Sequence, residues 1–223
     1  MKFHHIEVPV AASMIELAAQ AQYPFQKYFC IWTAFNNIYT LIAKRLVERH
    51  MVSSAQDLVV ELVKEDGVVK FNRRDAWGYS FPKVTASQER RQISEAIKQI
   101  DRPTKHILIN HPNVYFFVVR SPKGTRLKVD HEGKQINGVL NVTKTVNPQY
   151  PVWSPINQQA YKNYLAGDLA TQTILIEQVL FMLYTIRNNL VHGSKSMSEA
   201  NDVEVVGMAL PLLEIVVRSF IRY

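Results

Sequence analysis

The chain has 223 residues and a formal net charge of +7, and 47% of its residues are hydrophobic. This apolar content is typical of a folded globular protein and argues against disorder, because disordered chains cannot bury enough apolar surface to offset the entropy of ordering. The single cysteine, Cys30, excludes an intrachain disulfide framework and a cysteine-based zinc site, and it favours a reducing, cytoplasmic setting.

Helical periodicity dominates the N-terminal part of the chain. Apolar side chains recur there at intervals of three and four residues, the spacing of one face of an α-helix. Pro24 separates the first helix from the second, and Arg102-Pro103 ends the last of the group, because proline restricts the backbone of the residue before it. Four helices are predicted on this basis, at residues 11–21, 25–50, 54–65 and 87–100.

The middle of the chain has the composition of β-structure. Residues 107–109 (ILI) and 114–119 (VYFFVV) are β-branched and aromatic runs of strand length. A turn sequence at 121–124 (SPKG) separates them from RLKV and KQINGVLNV, which together predict a hairpin. We therefore predict a small β-rich insertion over residues 105–147.

Helical periodicity returns after this insertion. Leu183, Ile186 and Leu190 lie on one apolar stripe of a long helix, and Gly193 follows at the usual position just past a helix end. Pro211 predicts a kink in the last helix. The helices predicted in this part of the chain are at residues 155–165, 168–191 and 199–222.

The predicted order is therefore helices, a β-rich insertion and helices again. A single, mainly α domain spanning residues 1–223 is the simplest architecture, with its helices packed as a bundle and residues 105–147 inserted within it. No stretch approaches the roughly 20 apolar residues of a transmembrane helix, so no membrane association is expected.

The positive charge is concentrated in one part of the sequence. Residues 103–150 contain seven basic and two acidic side chains, which is most of the net excess. A basic surface suits a polyanion such as nucleic acid. The alternative is a solvated basic face that only aids solubility, and the modest size of the excess favours this alternative when charge alone is considered.

The most unusual stretch of the chain is residues 187–192 (RNNLVH), which places a guanidinium, two amides and an imidazole at the end of an apolar helix. Arginine suits phosphate oxygens and histidine transfers protons near neutral pH, so Arg187 and His192 provide groups for cleaving a phosphodiester without a metal. The alternative is that both side chains only satisfy the last carbonyls of the helix. Spacing alone favours this structural interpretation, because Arg-x4-His is short and common.

Residues 187–193 (RNNLVHG) resemble the HEPN superfamily, whose hallmark is Arg-x4-to-6-His with a polar residue, often Asn, directly after the Arg. Arg187, Asn188 and His192 match all three positions. A second segment, residues 32–39 (WTAFNNIY), looks like the W-x-A-F-N-x-x-Y pattern of many such proteins. Two matched segments in the right order, each on a long helix, are more specific than either one alone.

The resemblance covers residues 25–50 and 168–222 and leaves 51–166 unexplained. It implies a HEPN-like helical bundle, in which two copies of the chain pair as a homodimer so that their Arg/His sets face each other. It also implies a metal-independent endoribonuclease with no cofactor, whose substrate is RNA and whose product carries a 2′,3′-cyclic phosphate. Such an enzyme is expected to be a toxin or an antiviral effector, with an antitoxin or regulatory protein as a further partner.

The resemblance also assigns roles to the three matched residues. His192 is the expected general acid or base, acting on the ribose 2′-hydroxyl or on the leaving oxygen. Arg187 is expected to stabilise the charge on the scissile phosphate, and Asn188 to orient these groups or bond the phosphate. Asn36 has two equally weighted roles, because its amide either braces the Arg/His end of the other helix or bonds a local backbone group.

Two other functions remain open at this point. A non-catalytic HEPN-like module would bind RNA or a partner protein with the same helices, using Arg126 and Lys128 of the β-rich insertion as a contact surface. A purely structural protein would use the motif only to end a helix. The complete Arg187, Asn188 and His192 set favours the ribonuclease.

Overall fold

The structure, a computed structural model, is mainly helical. It describes residues 1–48, 63–65, 68–70, 86–119, 127–129, 135–139, 156–191 and 200–222. Its α-helices are Pro9–Gln20 (α1), Pro24–Glu48 (α2), Ala86–Gln99 (α3), Arg102–Ile109 (α4), Pro112–Tyr115 (α5), Gln158–Leu165 (α6), Thr171–Val191 (α7) and Ala200–Ser219 (α8). None of these described helices is both long and apolar enough to cross a membrane.

The strands are short and pair two by two. Their bounds are Phe3–His4 (β1), Val63–Glu65 (β2), Val68–Lys70 (β3), Val118–Val119 (β4), Leu127–Val129 (β5), Gln135–Val139 (β6), Ile156–Asn157 (β7) and Ile221–Arg222 (β8). The pairs β1–β8 and β4–β7 are parallel, whereas β2–β3 and β5–β6 are antiparallel. The mainly α class predicted from the sequence is confirmed, and the described helices are consistent with a bundle.

The chain divides into two compact units. The terminal unit comprises residues 1–35 and 100–223, and the inner unit comprises residues 36–99. Within the inner unit, the Tyr39 hydroxyl donates to the Glu89 carboxylate at 2.7 Å. The single HEPN-like domain stays a prediction.

Helix α7 is the centre of the terminal unit. All six residues from Phe181 to Ile186 are buried, so this part of the helix is enclosed on every side rather than along one stripe. A helix that is apolar all round must be covered by others. Helices α4, α6 and α8 pack against it, and the first turns of α2 contact it through Tyr28 and Trp32.

The β-rich insertion predicted over residues 105–147 is not supported. Residues 107–109 belong to helix α4 and residues 112–115 to helix α5, and only Val118–Val119 of the predicted strand 114–119 is extended. Much of the remaining insertion lies outside the described residues. The short pair β5–β6 falls within the predicted hairpin, but it does not make the segment a β-rich unit.

The physical reason for this difference lies at the start of α4. The Asp101 carboxylate accepts a hydrogen bond from the Thr104 backbone N–H at 2.9 Å, and Pro103 occupies the first turn. These are helix-start signals, and they override the strand preference of the β-branched residues that follow. Helix α3 ends at Gln99, close to the predicted end at residue 100, and Arg102-Pro103 begins the next helix.

Two other predicted helices differ from the structure at their C-terminal ends. Most of the predicted helix 54–65 lies outside the described residues, and its last three residues form strand β2 instead. The predicted last helix ends at Ser219, because Ile221–Arg222 pairs with β1 near the N-terminus. Pro211 lies inside α8, and the kink predicted at this residue stays a prediction.

Candidate functional site

The last turns of α7 carry a direct contact between two of the predicted site residues. The Arg187 guanidinium donates through Nη1 to the Asn188 Oδ1 atom at 2.8 Å. Both side chains are half-buried. The amide therefore fixes one edge of the guanidinium fork, and the other N–H groups of the fork stay available for an oxygen-rich ligand.

The burial of α7 explains why this pair is placed where it is. The helix is buried continuously from Val179 to Ile186, and it reaches the surface at Arg187 and Asn188 before burying Asn189 and Leu190 again. The guanidinium is therefore attached to a rigid, packed element. A charged group on a packed helix is positioned more precisely than one on a loop.

Tyr28 supports this turn from the neighbouring helix α2. Its hydroxyl donates to the Leu183 carbonyl at 2.7 Å, and its side chain is fully buried. In an α-helix the same carbonyl accepts the backbone N–H of the residue four positions later, which is Arg187. Tyr28 therefore holds the helical turn from which the guanidinium extends.

The electrostatic coupling between Tyr28 and Arg187 follows from the same packing. Burial raises the pKa of the Tyr28 phenol well above its ordinary value of 10, and the positive charge of Arg187 opposes this rise. The phenol is therefore a neutral hydrogen-bond donor. In the sequence, Tyr28 is only one of the regularly spaced apolar positions of helix 25–50, and no local pattern indicates its contact with Leu183, which lies 155 positions away.

The charge of Arg187 is not neutralised by a carboxylate in the described part of the chain. Its hydrogen bond there goes to the neutral amide of Asn188. A half-buried cation without a counter-charge loses hydration, and it regains favourable interactions when an anion binds. The arrangement is chemically suited to a phosphate, because a planar guanidinium fork matches two phosphate oxygens.

Trp32 and Phe35 of α2 are buried in the core. Trp32 lies edge-on to Phe35 with ring centroids 5.5 Å apart, and 6.0 Å from the ring of Tyr184. Asn36 is exposed, and its Oδ1 atom lies 3.5 Å from the Thr40 hydroxyl. Both of its predicted roles stay predictions.

His192 lies outside the described residues, as do Gly193 and the rest of the segment up to residue 199. The structure therefore brings Arg187 and Asn188 together, and the place of His192 stays a prediction. The contact surface predicted at Arg126 and Lys128 also stays a prediction, because Arg126 lies outside the described residues. Within the described residues, no group of three or more His, Cys, Asp or Glu is arranged to hold a metal ion.

Comparison with protein-family models finds no match for this chain. Searches of curated proteins and of solved structures find no significant match either. The functional interpretation therefore depends on the residues and geometry described above.

Proposed function

We propose that this protein is a metal-independent endoribonuclease of the HEPN type. The observation that supports the proposal is the half-buried Arg187 guanidinium, which is fixed by Asn188 at 2.8 Å and has no carboxylate partner among the described residues. A cation held in this way is expected to bind an anion. The sequence pattern shared by Arg187, Asn188 and His192 suggests that the anion is the scissile phosphate of RNA.

In this mechanism, His192 removes the proton of the ribose 2′-hydroxyl, and the 2′-oxygen attacks the adjacent phosphorus. The bond between phosphorus and the 5′-oxygen of the next nucleotide breaks, and that oxygen receives a proton. Arg187 stabilises the negative charge that develops on the phosphate oxygens, while Asn188 keeps the guanidinium oriented. The products are a 2′,3′-cyclic phosphate and a free 5′-hydroxyl.

The proposal includes a homodimer, because two histidines are then present to serve as base and acid. It also includes an antitoxin or other regulatory partner, because an unrestrained ribonuclease would damage its own cell. A HEPN-like module that binds RNA or a partner protein without cleaving is the second candidate. The uncompensated charge of Arg187 supports phosphate binding in both cases, so only an activity measurement separates them.

The test is cleavage of a labelled single-stranded RNA in the presence of EDTA by the wild-type protein and by two variants. Arg187→Gln is expected to lower the cleavage rate about 100-fold or more, because a charge-stabilising donor is typically worth 10² to 10³ in rate. His192→Ala is expected to lower it by at least as much. Lys44→Gln, which removes an exposed charge from α2, is the matched control and retains activity.

Cleavage by His192→Ala at the wild-type rate would exclude the ribonuclease mechanism. RNA binding without cleavage by the wild-type protein would instead favour the binding module. A DNA strand of the same sequence should not be cut, because it lacks the attacking 2′-hydroxyl.

A further inference from the structure

A second polar cluster lies on helices α4 and α6 of the terminal unit. Arg102, His106 and Asn110 are exposed and follow one another at intervals of four residues, which places them on one face of α4 and its C-terminal cap. Tyr164 of α6 lies behind this face and is 6% exposed. Its hydroxyl is 2.9 Å from the Nδ1 atom of His106.

The hydrogen bonds of this cluster determine which ring nitrogen of the neutral His106 carries the proton. Asn110 Nδ2 donates to the His106 carbonyl at 2.8 Å, and a carbonyl can only accept, so the nitrogen of this amide must face His106. The same amide nitrogen lies 3.2 Å from His106 Nδ1. The amide nitrogen also lies 3.5 Å from Nε2, so it sits over the ring and does not bond Nδ1 in the ring plane. It donates instead to the Tyr164 oxygen at 3.4 Å, so within the described residues Nδ1 is the only acceptor for the hydrogen of the Tyr164 hydroxyl. Nδ1 is therefore the unprotonated nitrogen.

The proton of the neutral imidazole is consequently on Nε2, on the exposed ring. The nearest polar group to Nε2 is the same Asn110 amide nitrogen at 3.5 Å, which is also a donor and cannot accept this hydrogen. Among the described residues, the Nε2–H group has no acceptor. The cluster thus presents an oriented N–H donor to an external ligand.

The charges around this donor favour an anionic ligand. Residues 102–117 and 158–165, which include helices α4, α5 and α6, contain Arg102, Lys105 and Lys162 and no aspartate or glutamate. None of these three cations has an ion pair within the described part of the chain. The nearest carboxylate in sequence, Asp101, already accepts from Thr104 and lies 3.2 Å from the Lys2 ammonium.

We propose that the face formed by Arg102, His106 and Asn110, which we call the α4 face, binds a backbone phosphate of single-stranded RNA. The Arg102 guanidinium supplies the charge, and the His106 Nε2–H group supplies a directed hydrogen bond. This inference builds on the proposed ribonuclease function by adding a second phosphate contact, one that positions the strand and takes no part in breaking the bond. Tyr164 and Asn110 act as positioning residues, because they hold the imidazole in one tautomer.

The test separates binding from cleavage by using a fluorescently labelled 2′-O-methyl oligouridine. This probe retains the phosphates and cannot form a cyclic phosphate, because its 2′-oxygens are blocked. Arg102→Gln is expected to weaken binding about three- to tenfold. It should also reduce the slope of the logarithm of the binding constant against the logarithm of salt concentration by about 0.7, the value for one phosphate contact on a single strand.

The matched control is Arg218→Gln, which removes the same charge from an exposed position on α8. Binding by this control should stay within about twofold of the wild-type value and keep its salt slope. If Arg102→Gln and Arg218→Gln behave alike, the α4 face is not a phosphate site.

His106→Ala is expected to weaken binding at least about threefold, and His106→Gln to restore most of the loss. The glutamine amide offers both an acceptor for the Tyr164 hydroxyl and a donor for the phosphate. This rescue distinguishes ligand binding from a general loss of stability, which thermal unfolding of each variant also monitors. Equal binding by wild type and His106→Ala would overturn the proposal.

An NMR measurement of the histidine ring nitrogens tests the tautomer directly, with His106→Ala used to assign the signals. The neutral Nε2–H form of His106 is expected, and the Nδ1–H form would contradict the arrangement. The outcome for the α4 face is separate from that of the ribonuclease proposal. Binding that depends on Arg102 without any RNA cleavage would support the α4 face as a phosphate site and exclude the ribonuclease. RNA cleavage together with binding that is insensitive to Arg102 would support the ribonuclease and exclude the α4 face.

Discussion

Removing the Tyr28 hydroxyl tests the packing that holds the turn before Arg187. In Tyr28→Phe the Leu183 carbonyl loses one donor but keeps its helical partner, so no buried group is left without a hydrogen bond. The expected loss is therefore that of one ordinary buried hydrogen bond, about 1 kcal/mol of unfolding free energy. For a protein of this size, that corresponds to a decrease in Tm of about 2–4 °C.

The difference in unfolding free energy between wild type and Tyr28→Phe is also expected to depend on pH. The pKa of Tyr28 is raised in the folded protein, so above pH 10 the unfolded chain releases a proton that the native state retains. The stability contributed by Tyr28 is complete below pH 10 and falls as the pH rises, at up to about 1.4 kcal/mol per pH unit. Phenylalanine has no such contribution, so the advantage of the wild type should vanish between about pH 10.5 and 11.

The assay is urea unfolding of wild type and Tyr28→Phe at a series of pH values from 8 to 11. Tyr23→Phe is the control, because the Tyr23 side chain is 59% exposed, and its stability should stay within about 0.5 kcal/mol of wild type. A wild-type advantage that stays constant up to pH 11 would show that the phenol titrates normally. No difference at pH 8 would show that the bond to Leu183 is absent.

Two further predictions concern helix starts. The hydrogen bonds from the side chain and backbone of Thr104 lower the pKa of Asp101 to about 2. Asp101→Ala should therefore lose about 1 kcal/mol of unfolding free energy at pH 7. Asp101→Asn still caps the helix and should lose much less. The difference between Asp101→Ala and wild type should decrease as the pH falls from 4 towards 2, because the unfolded chain then binds a proton that the folded Asp101 still lacks. An unchanged difference would contradict the cap. His111 accepts from the Asn113 backbone N–H, and burial lowers its pKa, so its contribution to stability is present above pH 6.5 and is lost below it. His111→Asn, which caps α5 without titrating, should show a weaker loss of Tm between pH 7 and 5, and an equal loss would contradict this assignment.

Local sequence patterns were sufficient to predict most of the long helices. Helix α2 and helix α7 follow directly from apolar spacing without interruption by glycine or proline. Residues 107–109 were predicted wrongly as a strand, because a β-branched run of three is ambiguous and the deciding signals, Asp101 and Pro103, come before it. The cap was therefore more informative than the propensity of the residues that followed it.

The candidate site was predictable only where its residues are close in sequence. Arg187 and Asn188 are adjacent, and their contact agrees with the motif that singled them out. The support from Tyr28 joins residues 155 positions apart, and the contact between His106 and Tyr164 joins residues 58 positions apart. Such pairings depend on how helices pack, and no local pattern in one sequence encodes them.

The most direct test of the central claim is to identify the ends of the products formed from RNA by the wild-type protein in EDTA. Cleavage at a phosphate held by Arg187, with attack by the 2′-oxygen, should leave 2′,3′-cyclic phosphate and 5′-hydroxyl ends, and both should disappear in Arg187→Gln. Products with 5′-phosphate ends, or cyclic products formed equally by Arg187→Gln, would contradict the claim that this guanidinium acts on the scissile phosphate.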